Sequence, residues 1–221
     1  MQTALDKPYI HFLSLLLILG AWGMPPSAVS QQLDGPQQVI QDISMRLQDV
    51  LRNERQRLKD DPEYVQRLAR EILLPHVDFA KVSSLVLGKS WRRASEVQRN
   101  EFSRQFQRLL VRSYSTAFNE LDDDWKIRFL PLRRNQSGEK VEVRIQVLRA
   151  NGGEPIDVLY RMHLQEDRWK AYDVQIEGIS LVTSYRSSFA KEVRKGGMKG
   201  LIRRITELND SRVRKSTAQS G

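Results

Sequence analysis

The sequence predicts an α+β fold, with helices packed on an antiparallel sheet of four to five strands, and three observations lead to this prediction. Apolar residues recur every three or four positions as far as Leu121, which is typical of helices. From Trp125 to Ile176 the period changes to two, as in strands, with turns such as Asn151-Gly152-Gly153 between the runs. At Gly178 the pattern returns to the helical period.

The first three helices are predicted from their start and stop signals. Asp34-Gly35-Pro36 and Asp61-Pro62 each combine a capping residue with a proline suited to a first helical turn. Asp78 can cap a third helix, which Gly88 ends. The charged run from Arg52 to Lys59 is expected to lead outward from the core.

The longest predicted helix begins at a capping box, because the side chains of Ser95 and Gln98 can satisfy each other's backbone donors. It extends to Leu121, where Asp122-Asp123-Asp124 is expected to form a solvated turn. Its wide apolar stripe contains Val97, Phe102, Phe106, Leu109, Leu110, Tyr114, Ala117 and Phe118. This stripe should pack against the sheet.

Four strands between Trp125 and Ile176 form a predicted meander with one apolar face. The segment from Arg133 to Lys140 is expected to be a turn, and His163 an exposed residue of the polar face. In the last strand, Tyr172 and Val174 should share the apolar face, opposite Asp173. The rest of that face comprises Val141, Val143, Ile145, Val147, Ile156, Val158, Tyr160, Met162, Leu164 and Ile176.

The last strand leads directly into a helix that Ser180 can cap. This helix carries Val182, Tyr185 and Phe189 on one stripe, and Gly196-Gly197 separates it from a final helix. Residues 210–221 are predicted to be a polar, disordered tail.

The N-terminal region predicts export. An apolar run at residues 10–23 precedes small residues at Ala28 and Ser30, and it is shorter than the roughly 20 residues that a membrane span needs. We expect residues 1–30 to be a signal peptide, cleaved near Ser30, with an uncleaved anchor as the alternative, and residues 31–209 to be a single domain. The absence of cysteine excludes disulfides and thiolate sites, and the net charge of +9 suggests an anionic partner.

Motifs for catalysis and metal binding are absent, and we expect no catalytic residue, no metal and no cofactor. The helical stripes and the inner face of the sheet together carry many apolar side chains. These side chains either fill a core or line a cavity for an apolar ligand. Nucleic-acid binding is not expected, because the protein is predicted to be exported and no aromatic residues alternate with the basic clusters.

An ordered set of motifs resembles the MlaC family of periplasmic phospholipid-binding proteins, also known as toluene-tolerance proteins. The matching residues are Pro75-His76-Val77-Asp78-Phe79, Val86-Leu87-Gly88 with Trp91, Gln98-Arg99 with Phe102 and Phe106, Leu109-Leu110 with Tyr114, and the run from Trp169 to Phe189 followed by Gly197 and Leu201-Ile202. The resemblance implies a curved sheet related to the NTF2-like cone and an internal apolar cavity that encloses the acyl chains of a glycerophospholipid, carried as cargo.

The resemblance also implies partners: an outer-membrane lipoprotein–porin complex and an inner-membrane ABC transporter complex with an MCE-type subunit. The protein is expected to be a monomeric carrier in the periplasm that shuttles phospholipid between these complexes and so maintains outer-membrane lipid asymmetry. Members of the family move phospholipid chiefly towards the inner membrane, and the sequence leaves the direction open for this chain. The alternative is an NTF2-like enzyme with a small apolar substrate. It would need a polar pair such as Tyr172 and Asp173 inside the cone, where alternation allows only one of them.

Two sets of candidate site residues follow from the apolar stripes and the exposed arginines. The predicted lipid-binding residues are Phe79, Trp91, Phe102, Phe106, Leu110, Tyr114, Val143, Ile145, Val147, Val158, Tyr160, Met162, Val174, Ile176, Val182, Tyr185 and Phe189. The residues predicted to meet the phosphate or the protein partners are Arg92, Arg93, Arg144 and Arg186.

Overall fold

The computed structural model of the chain describes residues 34–119, 124–135, 137–150 and 152–219. The predicted signal peptide and two of the three consecutive aspartates, Asp122 and Asp123, lie outside these residues. The side chains at position 62 and at positions 114–119 and 211–219 are not described either.

Seven α-helices are present in the described residues. They are α1 (Gly35–Asn53), α2 (Arg55–Asp60), α3 (Pro62–Leu68), α4 (Phe79–Leu87), α5 (Lys89–Arg93), α6 (Glu96–Asn119) and α7 (Leu181–Gln219). A π-helical turn, Ala69–Leu73, and a 3₁₀ turn, Leu74–His76, continue the chain beyond α3.

The strands form one antiparallel sheet in the order β1-β3-β4-β5-β6, with β2 beside β3. Their bounds are β1 (Lys126–Phe129), β2 (Arg133–Arg134), β3 (Lys140–Leu148), β4 (Ile156–Gln165), β5 (Arg168–Ile176) and β6 (Ile179–Ser180). The four long strands confirm the predicted meander. The two-residue strands β2 and β6 were not predicted, and β2 occupies part of the segment expected to be only a turn.

The predicted helix starts are confirmed by their hydrogen bonds. The Asp61 carboxylate accepts from the Tyr64 N–H at 2.9 Å, and the Asp78 carboxylate accepts from the Lys81 N–H at 2.9 Å. At α6 the Ser95 hydroxyl accepts from the backbone of Gln98. Each bond satisfies a donor that the first helical turn leaves without an intrahelical partner.

The charged run between α1 and α3 does not lead outward, as the sequence suggested, but forms α2. Its single apolar residue, Leu58, is 1% exposed and packs in a core with Leu51 and Tyr64. The guanidinium of Arg57 lies 3.8 Å from the centre of the Tyr64 ring, so a charged residue of this helix contributes a cation–π contact.

Three cores of buried apolar residues hold the helices and the sheet together. The first lies among α4, α6 and α7 around Phe102, Phe106 and Phe189. The second lies between α1 and the sheet, where Ile40 packs among strand residues. The third joins α1, α2 and α3.

A β-bulge between β4 and β5 changes which residues share a face of the sheet. Met162 pairs with Ala171 and Arg161 pairs with Asp173, which leaves Tyr172 without a partner in β4. Ala171 therefore joins the inner face of the sheet, and Tyr172 packs against His163 with ring centres 5.5 Å apart. The prediction that Tyr172 shares a face with Val174 is wrong, because one inserted residue reverses the alternation.

The last helix bends at Gly197, where the two predicted helices meet, with φ 63° and ψ −171°. The helix then continues to Gln219, although the sequence led us to expect a disordered tail from Asp210. The domain boundary at residue 209 stays a prediction.

Gly88, which ends α4, has φ 53°, a conformation that residues with a Cβ rarely adopt. A Cβ at this position would also lie 2.9 Å from Nη2 of Arg186. We expect Gly88→Ala to lower the free energy of unfolding by about 1–3 kcal/mol, because a backbone with φ 53° and ψ −119° is strained for alanine. Urea unfolding measures the difference.

Gly196→Ala is the matched control, since this glycine has no positive φ and no neighbour within 4 Å of the added carbon. It should leave stability unchanged or raise it by up to about 1 kcal/mol, as alanine favours the helix. Equal unfolding midpoints for the two variants would contradict the role of Gly88.

Candidate functional site

An apolar cavity of about 340 Å³ lies between the helices and β5. Helices α1, α3, α4 and α6, the two turns after α3, strand β5 and the start of α7 all contribute to its wall. The lining residues are Leu47, Val65, Leu68, Ala69, Leu73, Leu74, Val77, Phe79, Val82, Val86, Phe106, Leu110, Val111, Ala171, Tyr172, Asp173, Val174, Ile176, Leu181 and Val182. Such a surface suits an apolar ligand.

One side of the cavity is formed where α3 widens into the π-helical turn Ala69–Leu73. Pro75 lacks a backbone N–H, so the regular helix cannot continue, and the chain closes with the 3₁₀ turn Leu74–His76. These turns bring Ala69, Leu73 and Leu74 to the wall. Single π-helical turns occur frequently at functional sites.

Helix α6 forms another part of the wall, and an aromatic cluster that it shares with α7 supports this part. Phe106 lines the cavity, and its ring centre lies 5.0 Å from that of Tyr185 and 5.3 Å from that of Phe189. Leu110 and Val111 extend the wall by one further turn of the helix. The aromatic cluster therefore fixes the position of α6 relative to α7.

Among the described residues, Asp173 is the one acidic residue of the cavity wall, and its side chain is 4% exposed. Its carboxylate accepts from the Ser180 hydroxyl at 2.8 Å and from the Val182 N–H at 3.2 Å, and it pairs with Arg161 at 3.3 Å. The Ser180 hydroxyl in turn accepts from the Thr183 N–H, which confirms the predicted cap of α7. The carboxylate thus joins β5 to α7.

A polar cluster beside the cavity joins α4 to β4. Lys81 Nζ donates to Nδ1 of His163 at 3.1 Å, so the ring proton of neutral His163 lies on Nε2, which donates to Asp78 at 3.0 Å. The Lys81 ammonium also lies 4.5 Å from the centre of the Tyr172 ring. His163 is therefore largely buried, which corrects the expectation that it is an exposed residue.

Burial, followed by the nearby Lys81 charge, lowers the pKa of His163 below its ordinary value of 6.5. The folded protein therefore favours neutral His163, and this contribution to stability is complete above pH 6.5 and is lost as the pH falls through the lowered pKa. We expect acidification from pH 7 to about pH 5 to lower the urea midpoint more in the wild type than in His163→Gln.

The pKa of His76 is also lowered, by burial and by Arg46, so some acid destabilisation should persist in His163→Gln. The acid-induced fall of the urea midpoint in the wild type, minus the fall in His163→Gln, gives the contribution of His163. An NMR titration that placed the pKa of His163 above 6.5 would contradict the prediction.

Six of the predicted lipid-binding residues line the cavity: Phe79, Phe106, Leu110, Val174, Ile176 and Val182. The structure places most of the others in filled cores. Phe102, Phe189, Trp91 and Tyr185 pack among α4, α6 and α7, and Phe102 is 0% exposed. The Tyr114 side chain lies outside the described residues.

The middle of the sheet is also core and not cavity wall. Helix α1 crosses it, and Ile40 packs against a set of strand residues that includes Val143, Ile145, Met162, Val147, Val158 and Tyr160. These six residues were predicted to line the cavity. None of them lines this cavity, because periodicity identifies the inner face of a strand but not the helix that covers it. Their part in lipid binding stays a prediction.

The four predicted headgroup or partner residues do not come together at the cavity. Arg92 and Arg93 are exposed on α5, and Arg186 is exposed on α7, with its guanidinium over Gly88. Arg144 lies on the polar side of β3, beside Asp157 and Gln175 in a smaller pocket of about 170 Å³. Their roles stay predictions.

The sequence analysis did not name the other fourteen residues that line the cavity as lipid-binding, although several of them lie on predicted helices. They are Leu47, Val65, Leu68, Ala69, Leu73, Leu74, Val77, Val82, Val86, Val111, Ala171, Tyr172, Asp173 and Leu181. Within the described ranges, no group of three or more His, Asp or Glu side chains could hold a metal ion. None of the described helices is long and apolar enough to cross a membrane.

Comparison with known proteins gives three consistent matches. The family model described as MlaC protein matches residues 41–207. The intermembrane phospholipid transport system binding protein MlaC of Haemophilus influenzae is 24% identical over 198 residues, which cover 89% of this chain and 91% of the relative. Toluene tolerance protein ttg2D of Pseudomonas putida is 27% identical over 184 residues, covering 83% of this chain and 82% of the relative.

A solved structure has the same fold. It is a phospholipid-binding protein from Ralstonia solanacearum in complex with a phospholipid, and it superposes with a TM-score of 0.73. The match covers 80% of this chain and 98% of the other, at 24% identity.

Proposed function

The chain belongs to the MlaC family, and from this premise we propose that it is a carrier that binds one glycerophospholipid with its acyl chains in the apolar cavity. The observation that carries the proposal is the cavity itself, whose lining residues are nearly all apolar. Its volume of about 340 Å³ is near the lower end of the range of about 300–1,000 Å³ for small-molecule sites, so we expect no more than one lipid per chain.

The energetics of lipid transfer make a carrier necessary. Two acyl chains of about 16 carbons contain roughly 30 methylene groups, each of which gains about 0.8 kcal/mol on leaving water. Free diffusion of a monomeric phospholipid through water therefore costs about 20 kcal/mol or more. A protein that encloses the chains avoids most of this cost, and it must bind them about as well as a bilayer does if it is to accept and release them.

The proposal also specifies the cellular compartment and the protein partners. We propose that the chain acts in the periplasm after removal of a signal peptide. There it would exchange lipid as a monomer with an outer-membrane lipoprotein–porin complex and an inner-membrane ABC transporter complex with an MCE-type subunit. The names of the relatives from H. influenzae and R. solanacearum, which refer to phospholipid transport and phospholipid binding, support the cargo.

No catalytic step is part of the proposal. The enzyme alternative relied on Asp173 or Tyr172 as a polar group inside the cone. The Asp173 carboxylate is occupied by Ser180, Val182 and Arg161, so it is poorly placed to act as a base. Structural contacts of this kind favour a binding protein.

Native mass spectrometry tests the proposal. The protein, expressed from its complete sequence and purified without detergent, should carry one adduct with the mass of a phospholipid, and denaturation should release it. A bare polypeptide mass that persists after incubation with phospholipid vesicles would contradict a lipid carrier.

A further inference from the structure

The bend in α7 carries a cluster of exposed positive charges. Lys191, Arg194, Lys195 and Lys199 lie within two turns of Gly197, and all four side chains are exposed. We call these four residues the basic elbow. The core beneath the elbow is well packed, since Leu201 is 0% exposed and Met198 packs against the same cluster.

The charge of this region is not balanced by neighbouring acids along the helix. Residues 181–209 contain seven lysines and arginines but two glutamates, so they contribute +5 of the chain's net charge of +9. Within the described part of the chain, Lys191, Arg194 and Lys199 form no ion pair with another residue. Lys195 lies 3.7 Å from Glu192 in an exposed pair, which contributes little to stability.

The backbone of the elbow is unusually accessible for a helix. A Cβ added to Gly196, Gly197 or Gly200 would meet no atom within 4 Å apart from its chain neighbours and the nearby backbone of its own helix. The positive φ of Gly197 explains one of the three glycines. Gly196 and Gly200 each weaken the helix by about 1 kcal/mol relative to alanine, and neither makes room for a neighbouring side chain. Without side chains, they let a broad, flat partner approach the backbone.

From these observations we propose that the basic elbow docks on an anionic phospholipid surface. Four cations on flexible stems, spread over an open helix surface, match a plane of phosphate charges better than they match one small anion. Neither the apolar cavity nor the smaller pocket beside Arg144 is lined by a residue of the elbow. The elbow is also separate from the residues that line the apolar cavity.

Vesicle flotation tests the proposal with the chain expressed from its complete sequence. We expect binding to vesicles of phosphatidylcholine mixed with phosphatidylglycerol, weak binding to phosphatidylcholine alone, and release at about 1 M salt, where screening is strong. Replacing Lys191, Arg194, Lys195 and Lys199 by glutamine should weaken binding at least about tenfold, because each cation near an anionic surface adds to the attraction.

The matched control removes the same charge from β1, from β2 and from the position after β3, by replacing the exposed cations Lys126, Arg128, Arg133 and Arg149 by glutamine. This variant should bind within about threefold of the wild type. Equal losses in both variants would show that only net charge matters and would overturn the proposal, as would an absence of binding to phosphatidylglycerol. Lys191→Gln with Lys199→Gln is a milder variant, expected to bind at an intermediate level, should the full set lower the melting temperature.

The outcome is separable from the proposed carrier function. The elbow variant should retain the phospholipid adduct in native mass spectrometry, because its four substitutions lie outside the cavity lining. If the wild type carried no adduct but still bound the anionic vesicles, the carrier function would fail and the docking surface would stand.

Discussion

Replacing Asp173 by alanine is expected to lower the free energy of unfolding by about 3 kcal/mol. The carboxylate is almost fully buried and holds the Ser180 hydroxyl, the Val182 N–H and the Arg161 guanidinium. Each buried donor that loses its acceptor costs about 1–3 kcal/mol, whereas Arg161 keeps Glu142 at 3.2 Å. Urea unfolding followed by circular dichroism measures the loss.

Asp157→Ala is the matched control, since Asp157 is exposed and accepts one hydrogen bond from Gln146. It should change stability by no more than about 0.5 kcal/mol. Asp173→Asn should be intermediate, because an amide oxygen can still accept from Ser180 or from Val182. Similar losses for the two alanine variants would show that Asp173 is not the junction between β5 and α7.

The capping residues of this fold could be predicted because a cap depends on neighbours within one helical turn. Asp61, Asp78 and Ser180 each bond a backbone N–H three residues ahead, and that spacing is visible in the sequence. The bend at Gly197 could be predicted for the same reason, because it depends on the local glycine pair Gly196-Gly197.

The bulge at Tyr172 could not be predicted in the same way, because it depends on the pairing between β4 and β5. The run from Tyr172 to Ile176 alternates regularly in the sequence, and the adjacent pair Ala171-Tyr172 interrupts the period that Trp169 begins. Only the pairing with the partner strand shows that this interruption is one inserted residue. The insertion brings Tyr172 to His163, and so it creates the contact of β5 with the polar cluster of Asp78, Lys81 and His163.

The difference between core and cavity is likewise invisible in the sequence. Phe102, Phe106 and Leu110 follow one another at intervals of four on the same stripe of α6. Phe102 is enclosed by the first core, whereas Phe106 and Leu110 reach the cavity. The three residues share their apolar character and their spacing, and what differs is whether neighbouring side chains fill the space beside them. Sequence periodicity therefore predicted the inner surface but not its unfilled part.

Replacing Val174 by glutamate is expected to remove the bound phospholipid. Val174 lies on β5 opposite Tyr160 and lines the cavity, so the new carboxyl group would meet acyl chains instead of water. Burying a polar group without a partner costs about 1–3 kcal/mol, and a charged one costs more, which corresponds to a loss of at least about tenfold in lipid affinity. Native mass spectrometry and phosphate analysis of the purified protein measure the lipid content.

Val97→Glu makes the same chemical change at a site that is 77% exposed, and it should leave the lipid content unchanged. Val174→Phe tests the same wall without a charge, because the larger side chain fills part of the cavity and should also reduce the lipid content. Normal lipid content in folded Val174→Glu and Val174→Phe would mean that the chains bind elsewhere. A loss in both, with Val97→Glu unaffected, would place them against β5, at the one long strand that lines this cavity within the described residues.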